Sequence, residues 1–443
     1  MPLEIKNLAF RYHPESAPIL KDVSLTLKAG ECAGIAGCNG SGKSTLIAAV
    51  CGLIPGFGKG ILSGEIITEN PPPAAVLQNL DAQILTDTVR DEISFFASYT
   101  SHKNPSFTPE TVAERAGLGY CLDRKVFLLS TGEKQRLALA CAVASAHSGL
   151  IVLDEPSAYL DDDGAEKLSG MLAALKENGH AVLIVGHEFS RLKSAVDKSY
   201  VLGNGVLSES PVADSHCAVA KTGREKTAGP SVLRANGITF RSESDAALVN
   251  DLNFEIKTGL ITGLTGPNGS GKSTFAKIAA GHITAHDGTI SVNGRETERG
   301  ELLEKVRLIS QNPYTSLLYK TVGENLARAA REAKTRAPYD MENLAATLGV
   351  LRLYGRTIQS LSYGQAQRCA LLCAAAANPD FLIIDEAVSC LDREGVEAFH
   401  SAMDIFARAG KGVLVISHLN RLTAEIADEL HAMPLCPANG ELK

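Results

Sequence analysis

Two glycine-rich segments have the residue types and spacing of a phosphate-binding loop. Residues 37–45 and 266–274 both match the pattern G-x-x-x-x-G-K-[ST]. Such a loop presents backbone N–H groups at a helix N-terminus, where they can bind a triphosphate. Its lysine reaches the β- and γ-phosphates, and the following serine hydroxyl can ligate Mg²⁺. The residues expected to bind phosphate are Gly37, Asn39, Gly40, Ser41, Gly42, Lys43, Ser44 and Thr45, and Gly266, Asn268, Gly269, Ser270, Gly271, Lys272, Ser273 and Thr274. The pair predicts two nucleotide sites.

An acidic pair follows a short apolar run in each half of the chain, at Asp154-Glu155 and at Asp385-Glu386. An aspartate at the end of a buried strand beside a phosphate loop is placed to hold Mg²⁺ or its waters. The glutamate after it can orient or deprotonate an attacking water, which is a general-base role. The chemistry expected is therefore hydrolysis of a phosphoanhydride.

A histidine and a glutamine recur beside these motifs. His187 and His418 each end an apolar run and lie 32 residues after the glutamate of their half. We expect them to sense the γ-phosphate through a hydrogen bond. Gln78 and Gln311 end short strand-like segments, where a glutamine can contact Mg²⁺ or water. The predicted Mg²⁺ ligands, direct or through water, are Ser44, Gln78, Asp154, Ser273, Gln311 and Asp385.

A Leu-Ser-x-Gly segment precedes a helical pattern in each half. Serine is a strong helix N-cap, and the helix dipole favours an anion just beyond it. We call residues 130–133 and 362–365 the signatures. The signature residues expected to contact nucleotide are Ser130, Gly132 and Glu133, and Ser362, Gly364 and Gln365.

The spacing between equivalent motifs is nearly constant along the chain. The first loop glycines are 229 residues apart, the glutamines 233, the signature serines 232 and the histidines 231. A drift of four residues over this length indicates one duplicated fold. Apolar, β-branched runs between helical stretches, such as residues 181–185, predict central strands of a largely parallel sheet.

The domain organisation follows from this repeat. Residues 200–207 contain an Asn-Gly turn and predict an edge hairpin that closes the first half. Residues 208–231 are polar and contain several Gly and Pro residues, which is typical of a linker. We therefore expect one domain at 1–207, a linker at 208–231, and a second domain at 232–443.

Composition limits the classes of protein that the chain can represent. The formal net charge is −7, whereas a nucleic-acid binder usually has a basic surface, so no nucleic-acid partner is expected. The ten cysteines are scattered, which indicates reduced thiols in a cytoplasmic protein. We expect no secretory signal, because residues 1–4 carry no basic and apolar pattern. No apolar run reaches the ~18 residues of a membrane span.

Taken together, the loops, glutamines, signatures and acidic pairs resemble those of the ATP-binding cassette (ABC) ATPases. Residues 157–161 and 389–392 resemble the family's D-loops, and the resemblance covers both halves. It implies two P-loop NTPase domains of α/β class, each with a mostly parallel core sheet, an antiparallel N-terminal sheet and a small helical subdomain. It also implies bound ATP and Mg²⁺, and an intramolecular pseudo-dimer in which each ATP lies between the phosphate loop of one half and the signature of the other.

Residues 77–95 resemble, within that family, the ATPases of energy-coupling-factor importers, which take up vitamins or transition-metal ions. This implies an integral membrane scaffold protein, a separate substrate-binding membrane protein, and a peripheral position on the inner face of the cell membrane. We call residues 81–95 and 312–326 the docking segments, since they follow the glutamines and are expected to contact the scaffold. Asp91 and Glu92 are the charges expected to matter there.

Two other functions remain open from the sequence. The tandem ATPase of a sugar importer has the same two-cassette layout. A tandem-cassette translation factor acting on the ribosome is the rival from another class, although such proteins usually join their cassettes through a long, charged helical arm.

The two nucleotide sites are expected to differ. Tyr12 resembles the family's adenine-stacking aromatic, whereas Ser242 stands at the equivalent place in the second half. Phe240 lies two residues earlier on the same strand face and could compensate for the missing ring. Glu133 brings an acid to the first signature, where Lys134 is a nearby cation that could compensate it. Both features fall on the composite site built on residues 266–274, so we expect that site to bind ATP more weakly.

Overall fold

The chain divides into two compact units, Met1–His216 and Cys217–Lys443. The computed structural model describes residues 2–38, 40–55, 60–68, 73–77, 80–98, 108–145, 149–157, 160, 162–186, 189–210, 227–229, 232–241, 247–333, 335–388, 391, 393–417 and 420–434. Most of the predicted linker lies outside these residues, so the domain bounds stay predictions.

The first unit begins with three strands and then mixes strands with helices. Its elements are β1 (Leu3–Arg11), β2 (Leu20–Leu27), β3 (Cys32–Ala36), α1 (Lys43–Val50), β4 (Ile61–Thr68), β5 (Ala74–Val76), α2 (Val89–Ser98), α3 (Pro109–Arg115), α4 (Thr131–Ser145), β6 (Leu150–Asp154), α5 (Asp162–Glu177), β7 (Ala181–Gly186), β8 (Lys198–Gly203) and β9 (Val206–Glu209). The strands form an antiparallel sheet in the order β2-β1-β4 and a larger sheet in the order β5-β6-β7-β3-β8-β9.

The larger sheet of the first unit is parallel except for its last strand. Strands β6 and β7 are the apolar runs of the sequence, and their side chains are buried between helices on both faces, as expected of central parallel strands. The predicted edge hairpin is confirmed as β8 and β9. Its turn residues Asn204 and Gly205 have φ of 51° and 83°, which a primed two-residue turn requires.

The second unit repeats this plan. Its elements are β10 (Val232–Arg241), β11 (Ala247–Lys257), β12 (Ile261–Thr265), α6 (Lys272–Ala279), β13 (Asp287–Val292), β14 (Arg295–Glu296), α7 (Arg299–Lys305), β15 (Val306–Ile309), α8 (Val322–Glu332), α9 (Met341–Thr347), α10 (Tyr363–Ala376), β16 (Phe381–Asp385), α11 (Arg393–Arg408), β17 (Gly412–Ser417), α12 (Asn420–Ile426) and β18 (Glu429–Ala432). The sheets are an antiparallel β11-β10-β13-β14 and a parallel β15-β16-β17-β12-β18.

The first two antiparallel strands of the second unit, β10 and β11, span 10 and 11 residues. The register of β10 shifts between Ala235 and Ile238, where Gly237 has a φ of 61°. Such a bulge interrupts the two-residue alternation that marks a strand, so the periodic signal covers only part of it.

Helices α2, α3 and α4 enclose a separate apolar cluster in the first unit, formed around Ile93, Val112 and Leu137. In the second unit α8, α9 and α10 pack in the same way. The predicted fold class is confirmed by this combination of a parallel core sheet, an antiparallel sheet and a helical part in each unit. The phosphate loops follow β3 and β12, and the signatures begin α4 and α10.

Candidate nucleotide-binding sites

The first phosphate loop folds around its own lysine. Nζ of Lys43 donates hydrogen bonds to the carbonyl oxygens of Gly37, at 2.6 Å, and Cys38, at 3.1 Å. Gly40 and Gly42 have φ of 81° and 105°, a left-handed conformation that a residue with a Cβ adopts only with strain. The glycines therefore let the backbone curl until the loop carbonyls reach the ammonium at the start of α1.

The second loop has the same geometry. Nζ of Lys272 donates to the carbonyl oxygens of Gly266, at 2.7 Å, and Pro267, at 2.9 Å. Gly271 has a φ of 92°, and a Cβ there would lie 2.1 Å from the carbonyl oxygen of Leu248. Both lysines are buried, at 7% and 5% exposure. The duplication inferred from sequence thus extends to the hydrogen bonds inside the loops.

A buried serine hydroxyl lies in each loop at the same position. Oγ of Ser41 and Oγ of Ser270 have no hydrogen-bond partner among the described residues. Ser41 is 8% exposed and Ser270 is fully buried. A buried hydroxyl without a partner costs free energy, about 1–3 kcal/mol, unless a ligand satisfies it. The residues present therefore fit an anionic, oxygen-rich group such as a phosphate.

Ser273 and Asp385 form the best-defined candidate cation site. Oγ of Ser273 donates to Oδ1 of Asp385 at 3.1 Å. Burial raises the pKa of the Asp385 carboxyl to about 6, although the Ser273 hydrogen bond and Lys272 act in the opposite sense. Mg²⁺ in phosphate sites usually takes only one or two protein oxygens, so this pair fits it. Asp154 ends β6 at the equivalent place in the first unit, and Ser44 lies in the first turn of α1.

Glu155 and Glu386 share an unusual backbone conformation that the sequence did not reveal. Their φ angles are 53° and 55°, in the left-handed region that residues with a side chain rarely occupy. Each amide donates to the neighbouring strand, to Val185 O at 2.7 Å and to Ile416 O at 3.0 Å. A strained residue held the same way in both units is typical of a functional position.

The signature serines cap their helices as predicted. Ser362 N donates to Oε1 of Gln365 at 3.0 Å, and Gln365 N donates to Oγ of Ser362 at 3.3 Å, which forms a capping box. In the first unit Ser130 N donates to Glu133 at 2.7 Å, and Glu133 N donates to Oγ of Ser130 at 3.3 Å. Gly132 and Gly364 lie in the first turns of α4 and α10.

The structure corrects the expected environment of Glu133. Its carboxylate accepts hydrogen bonds from the Tyr120 hydroxyl and the Ser130 amide. Burial disfavours its ionisation, but these bonds outweigh burial and lower the pKa of Glu133. The nearby cation is Arg124, at 3.8 Å, and not Lys134, which pairs with Asp81 at 2.7 Å. Adjacency in the sequence was misleading because consecutive helical residues point about 100° apart.

Tyr12 lies beside the first phosphate loop. Its hydroxyl is 3.4 Å from Oγ1 of Thr45, its ring packs edge-on against Phe10 at 4.9 Å, and 43% of it is exposed. Such a ring can stack on a base. In the second unit the ring of Phe240 packs instead against His286, at 4.8 Å. No local motif indicates His286, because it lies between α6 and β13, far from Phe240 in the sequence.

Some predicted site residues lie outside the described residues, namely Asn39, Gln78, His187, His418 and Ser242, with part of both D-loops. Gln311 is described, and its carbonyl oxygen accepts hydrogen bonds from Tyr363 and Gln367. Asn268 and Gly269 are exposed at the tip of the second loop. Thr274 follows Ser273 in α6. The roles of all these residues stay predictions.

Glu92 was expected to be an exposed docking charge, and that expectation was wrong. It is 2% exposed, and its carboxylate accepts hydrogen bonds from the amides of Leu85 and Thr86 and from the Thr86 hydroxyl. The charge is satisfied by the loop before α2, as a buried carboxylate must be. Asp91 is exposed and accepts a hydrogen bond from the Thr88 hydroxyl at 2.6 Å.

In the second unit, Asn325 forms the equivalent hydrogen bonds to the loop before α8. It is 5% exposed, accepts from the Tyr319 amide at 3.1 Å, and donates to the carbonyl of Thr321 at 2.7 Å. Both buried side chains thus fix the loop that leads into a helix of their docking segment. Along the part of the chain that the structure describes, no helix is both long and apolar enough to span a membrane.

Comparison with known proteins gives matches along both units. The family described as ABC transporter matches residues 20–158 and 249–389. A putative ABC transporter ATP-binding protein of Vibrio parahaemolyticus is 27% identical, over 96% of this chain and 86% of its own length. The putative HMP/thiamine import ATP-binding protein YkoD of Bacillus subtilis is 25% identical, over 97% of this chain and 89% of its own length.

Among solved structures, a chain from a model of ribosome-bound archaeal Pelota and ABCE1 superimposes with a TM-score of 0.70. The sequence identity is 23%, over 96% of this chain and 76% of that chain. At this identity the likeness concerns the fold alone.

Proposed function

The chain belongs to the ABC transporter family and is an ATPase with two such domains, and from this premise we propose that it drives a membrane importer. The importer is of energy-coupling-factor type and takes up a vitamin or a transition-metal ion. The proposal rests first on the end-to-end similarity to relatives named as transporter ATP-binding proteins. One of them is named for HMP/thiamine import, a vitamin-related cargo.

The proposed sites are composite. One combines residues 37–45, Gln78, Asp154, Glu155 and His187 with the signature at 362–365. The other combines residues 266–274, Gln311, Asp385, Glu386 and His418 with the signature at 130–133. The duplicated loop geometry and the two unpartnered serine hydroxyls support two phosphate-binding loops.

Each group of residues has a distinct part in hydrolysis. Lys43 or Lys272 neutralises the β- and γ-phosphates, to which the loop N–H groups also donate. Ser273 and Asp385 would hold Mg²⁺, which supplies charge neutralisation between the phosphates. Glu155 or Glu386 orients the attacking water and takes its proton. His187 and His418 hydrogen-bond the γ-phosphate, so that its loss can be transmitted to the protein.

The docking segments are the proposed contact with the membrane scaffold. They expose large apolar side chains, with Leu85 at 61%, Leu318 at 81% and Tyr319 at 45%. Buried Glu92 and Asn325 hold the backbone at Leu85 and Tyr319 in place. Exposed apolar side chains on a fixed loop favour a protein partner. The partners proposed are an integral membrane scaffold and a separate substrate-binding membrane protein, at the inner face of the membrane.

Cofractionation tests the importer against the ribosomal alternative. A tagged chain is expressed in a host cell with its neighbouring genes, and membranes and ribosomes are separated in the presence of MgATP. We expect the chain with the membranes, and we expect its capture to recover an integral membrane protein. Sedimentation with ribosomes, without membrane association, would support the translation factor and refute the importer.

A matched pair of variants makes the result specific. Leu318→Glu places a charge on the docking segment of the second unit and should release the chain from membranes. Val206→Glu places the same charge on the β8–β9 hairpin, where Val206 is 49% exposed, and should not. A sugar importer would show the same fractionation, so the cargo is identified by uptake of labelled thiamine precursors, metal ions and sugars into vesicles that contain the captured complex.

A further inference from the structure

Each signature helix contacts the glutamine or the docking segment of its own unit, but the two units use different chemistry. In the first unit, Nζ of Lys134 on α4 lies 2.7 Å from Oδ1 of Asp81. The Asp81 side chain is 58% exposed and that of Lys134 is 16% exposed. The contact is therefore an ion pair that is open to solvent on its acidic side.

In the second unit the contact is uncharged. The hydroxyl of Tyr363 and Nε2 of Gln367, both on α10, donate to the backbone carbonyl of Gln311, the latter at 2.7 Å. Gln367 is fully buried. The ring of Tyr363 also packs against that of Tyr314, with centroids 6.3 Å apart. The carbonyl that receives both hydrogen bonds belongs to the residue immediately before the docking segment.

Alignment of the two units on their signatures and glutamines shows that the second unit has the hydrogen bonds in place of the ion pair. The position of Lys134 is taken by Ala366 in the second unit, and that of Asp81 by Tyr314, so the ion pair has no counterpart there. The glutamine of the helix is present in both units, and its partners among the described residues differ. Gln135 donates to the carbonyl of Pro156, directly after Glu155, whereas Gln367 donates to Gln311.

We propose that Lys134 and Tyr363 are positioning residues, which transmit the nucleotide-induced shift of each signature helix to the docking segment of the same unit. In the first unit the shift is transmitted through a salt-sensitive ion pair. In the second unit it is transmitted through salt-insensitive hydrogen bonds. This rests on the proposed binding of ATP at the signatures. The Debye length falls from about 10 Å at 0.1 M salt to about 3 Å at 1 M, which weakens a solvent-exposed ion pair but not a hydrogen bond between uncharged groups.

Hydrogen exchange of the full-length chain tests the proposal. The Glu155→Gln, Glu386→Gln double variant is used so that MgATP stays bound during labelling. At 0.1 M salt, MgATP should slow amide exchange at least threefold in residues 37–45 and 266–274 and in both docking segments. At 1 M salt, the protection of residues 81–95 should fall at least threefold, while that of residues 312–326 should stay.

Single substitutions assign the effect to the two links. Tyr363→Phe should weaken the MgATP response of residues 312–326 at either salt concentration, because only Gln367 then donates to the Gln311 carbonyl, and should keep that of residues 266–274. Tyr339→Phe is the matched control, because it removes another tyrosine hydrogen bond to a carbonyl of α10, that of Ala375 at 2.6 Å. Lys134→Met should remove the response of residues 81–95 alone.

The outcomes separate this inference from the function on which it rests. Protection of the phosphate loops with no response in either docking segment would overturn the inference and leave the nucleotide sites standing. Equal salt sensitivity of the two segments, or an unchanged response in Tyr363→Phe, would overturn it as well. If MgATP protects neither phosphate loop, the proposed nucleotide sites fail, and the inference fails with them.

Discussion

The hydroxyl of Ser273 donates a hydrogen bond of 3.1 Å to Oδ1 of Asp385, a carboxyl whose pKa burial raises to about 6. A folded-state pKa above the unfolded value of 3.8 means that the folded protein holds the proton more tightly between about pH 4 and 6. Stability from this group is therefore greatest at low pH and falls as the pH rises through that window. Above about pH 6 the buried carboxyl is ionised, and it lowers the free energy of unfolding by an amount that no longer depends on pH.

Asp385→Asn should consequently stabilise the nucleotide-free second unit at pH 7.5, by about 1–3 kcal/mol, because the neutral amide avoids that cost. Amide exchange of β12 and β17 measures the effect. The gain should shrink at pH 4, and Mg²⁺-dependent ATP hydrolysis at this site should be lost. Asp287→Asn, at an exposed residue of the same unit, is the control. Equal protection in wild type and Asp385→Asn at pH 7.5 would contradict the assignment.

The paired change Glu155→Gln and Glu386→Gln should leave ATP binding intact and lower turnover by about 10²–10⁴-fold, the usual contribution of a general base. Binding is measured with a fluorescent ATP analogue and turnover by phosphate release. Glu15→Gln, in an exposed loop of the first unit, should change neither. Wild-type hydrolysis in the double variant would show that these glutamates do not activate the water.

Substitutions that change the charge separate the role of Asp91 from that of Glu92 on the docking segment. Asp91→Lys should weaken capture of the membrane scaffold and leave the unit folded, because Asp91 is exposed. Glu92→Gln should instead loosen the loop at Leu85 and Thr86, at a cost of about 1–3 kcal/mol for donors left without their charged partner. Exchange of the Leu85 and Thr86 amides reports this loosening. Equal exchange rates there in Glu92→Gln and wild type would contradict the role of Glu92.

The two sites should still differ in affinity, although for one reason instead of two. Arg124 lies 3.8 Å from the Glu133 carboxylate and compensates its charge, so Glu133 no longer argues against ATP at the first signature. Tyr12 remains, and base stacking on an aromatic ring contributes roughly 1–3 kcal/mol. ATP should therefore bind several-fold more tightly to Lys272→Ala, which keeps the site of Tyr12, than to Lys43→Ala.

Tripolyphosphate provides the control for that comparison, since it has no base to stack. It should bind Lys272→Ala and Lys43→Ala with similar affinity. Indistinguishable ATP affinities would instead mean that the pair of Phe240 and His286 replaces the missing ring of the second unit.

Motifs whose residues lie at fixed, short intervals could be predicted from the sequence. Properties that depend on contacts with another segment of the chain could not. The phosphate loops and capping serines follow from fixed intervals within a few residues. By contrast, Glu92 appears as a surface charge in a helical pattern, and its burial depends on the amides of a loop seven residues earlier. The left-handed backbone at Glu155 and Glu386 accompanies a hydrogen bond to the neighbouring strand, and the sequence motif does not indicate that contact.

The contact between Lys43 and its own loop carbonyls has a thermodynamic consequence for ligand capture. The internal ammonium already neutralises the inward-facing carbonyl dipoles, so the curled backbone is maintained before any anion arrives. Ordering a loop at the moment of association would subtract from the affinity, whereas a backbone that is already ordered carries little such penalty. The same lysine therefore first stabilises the loop through internal hydrogen bonds and then neutralises the charge of the bound phosphates. Each phosphate loop can bind nucleotide without first having to fold.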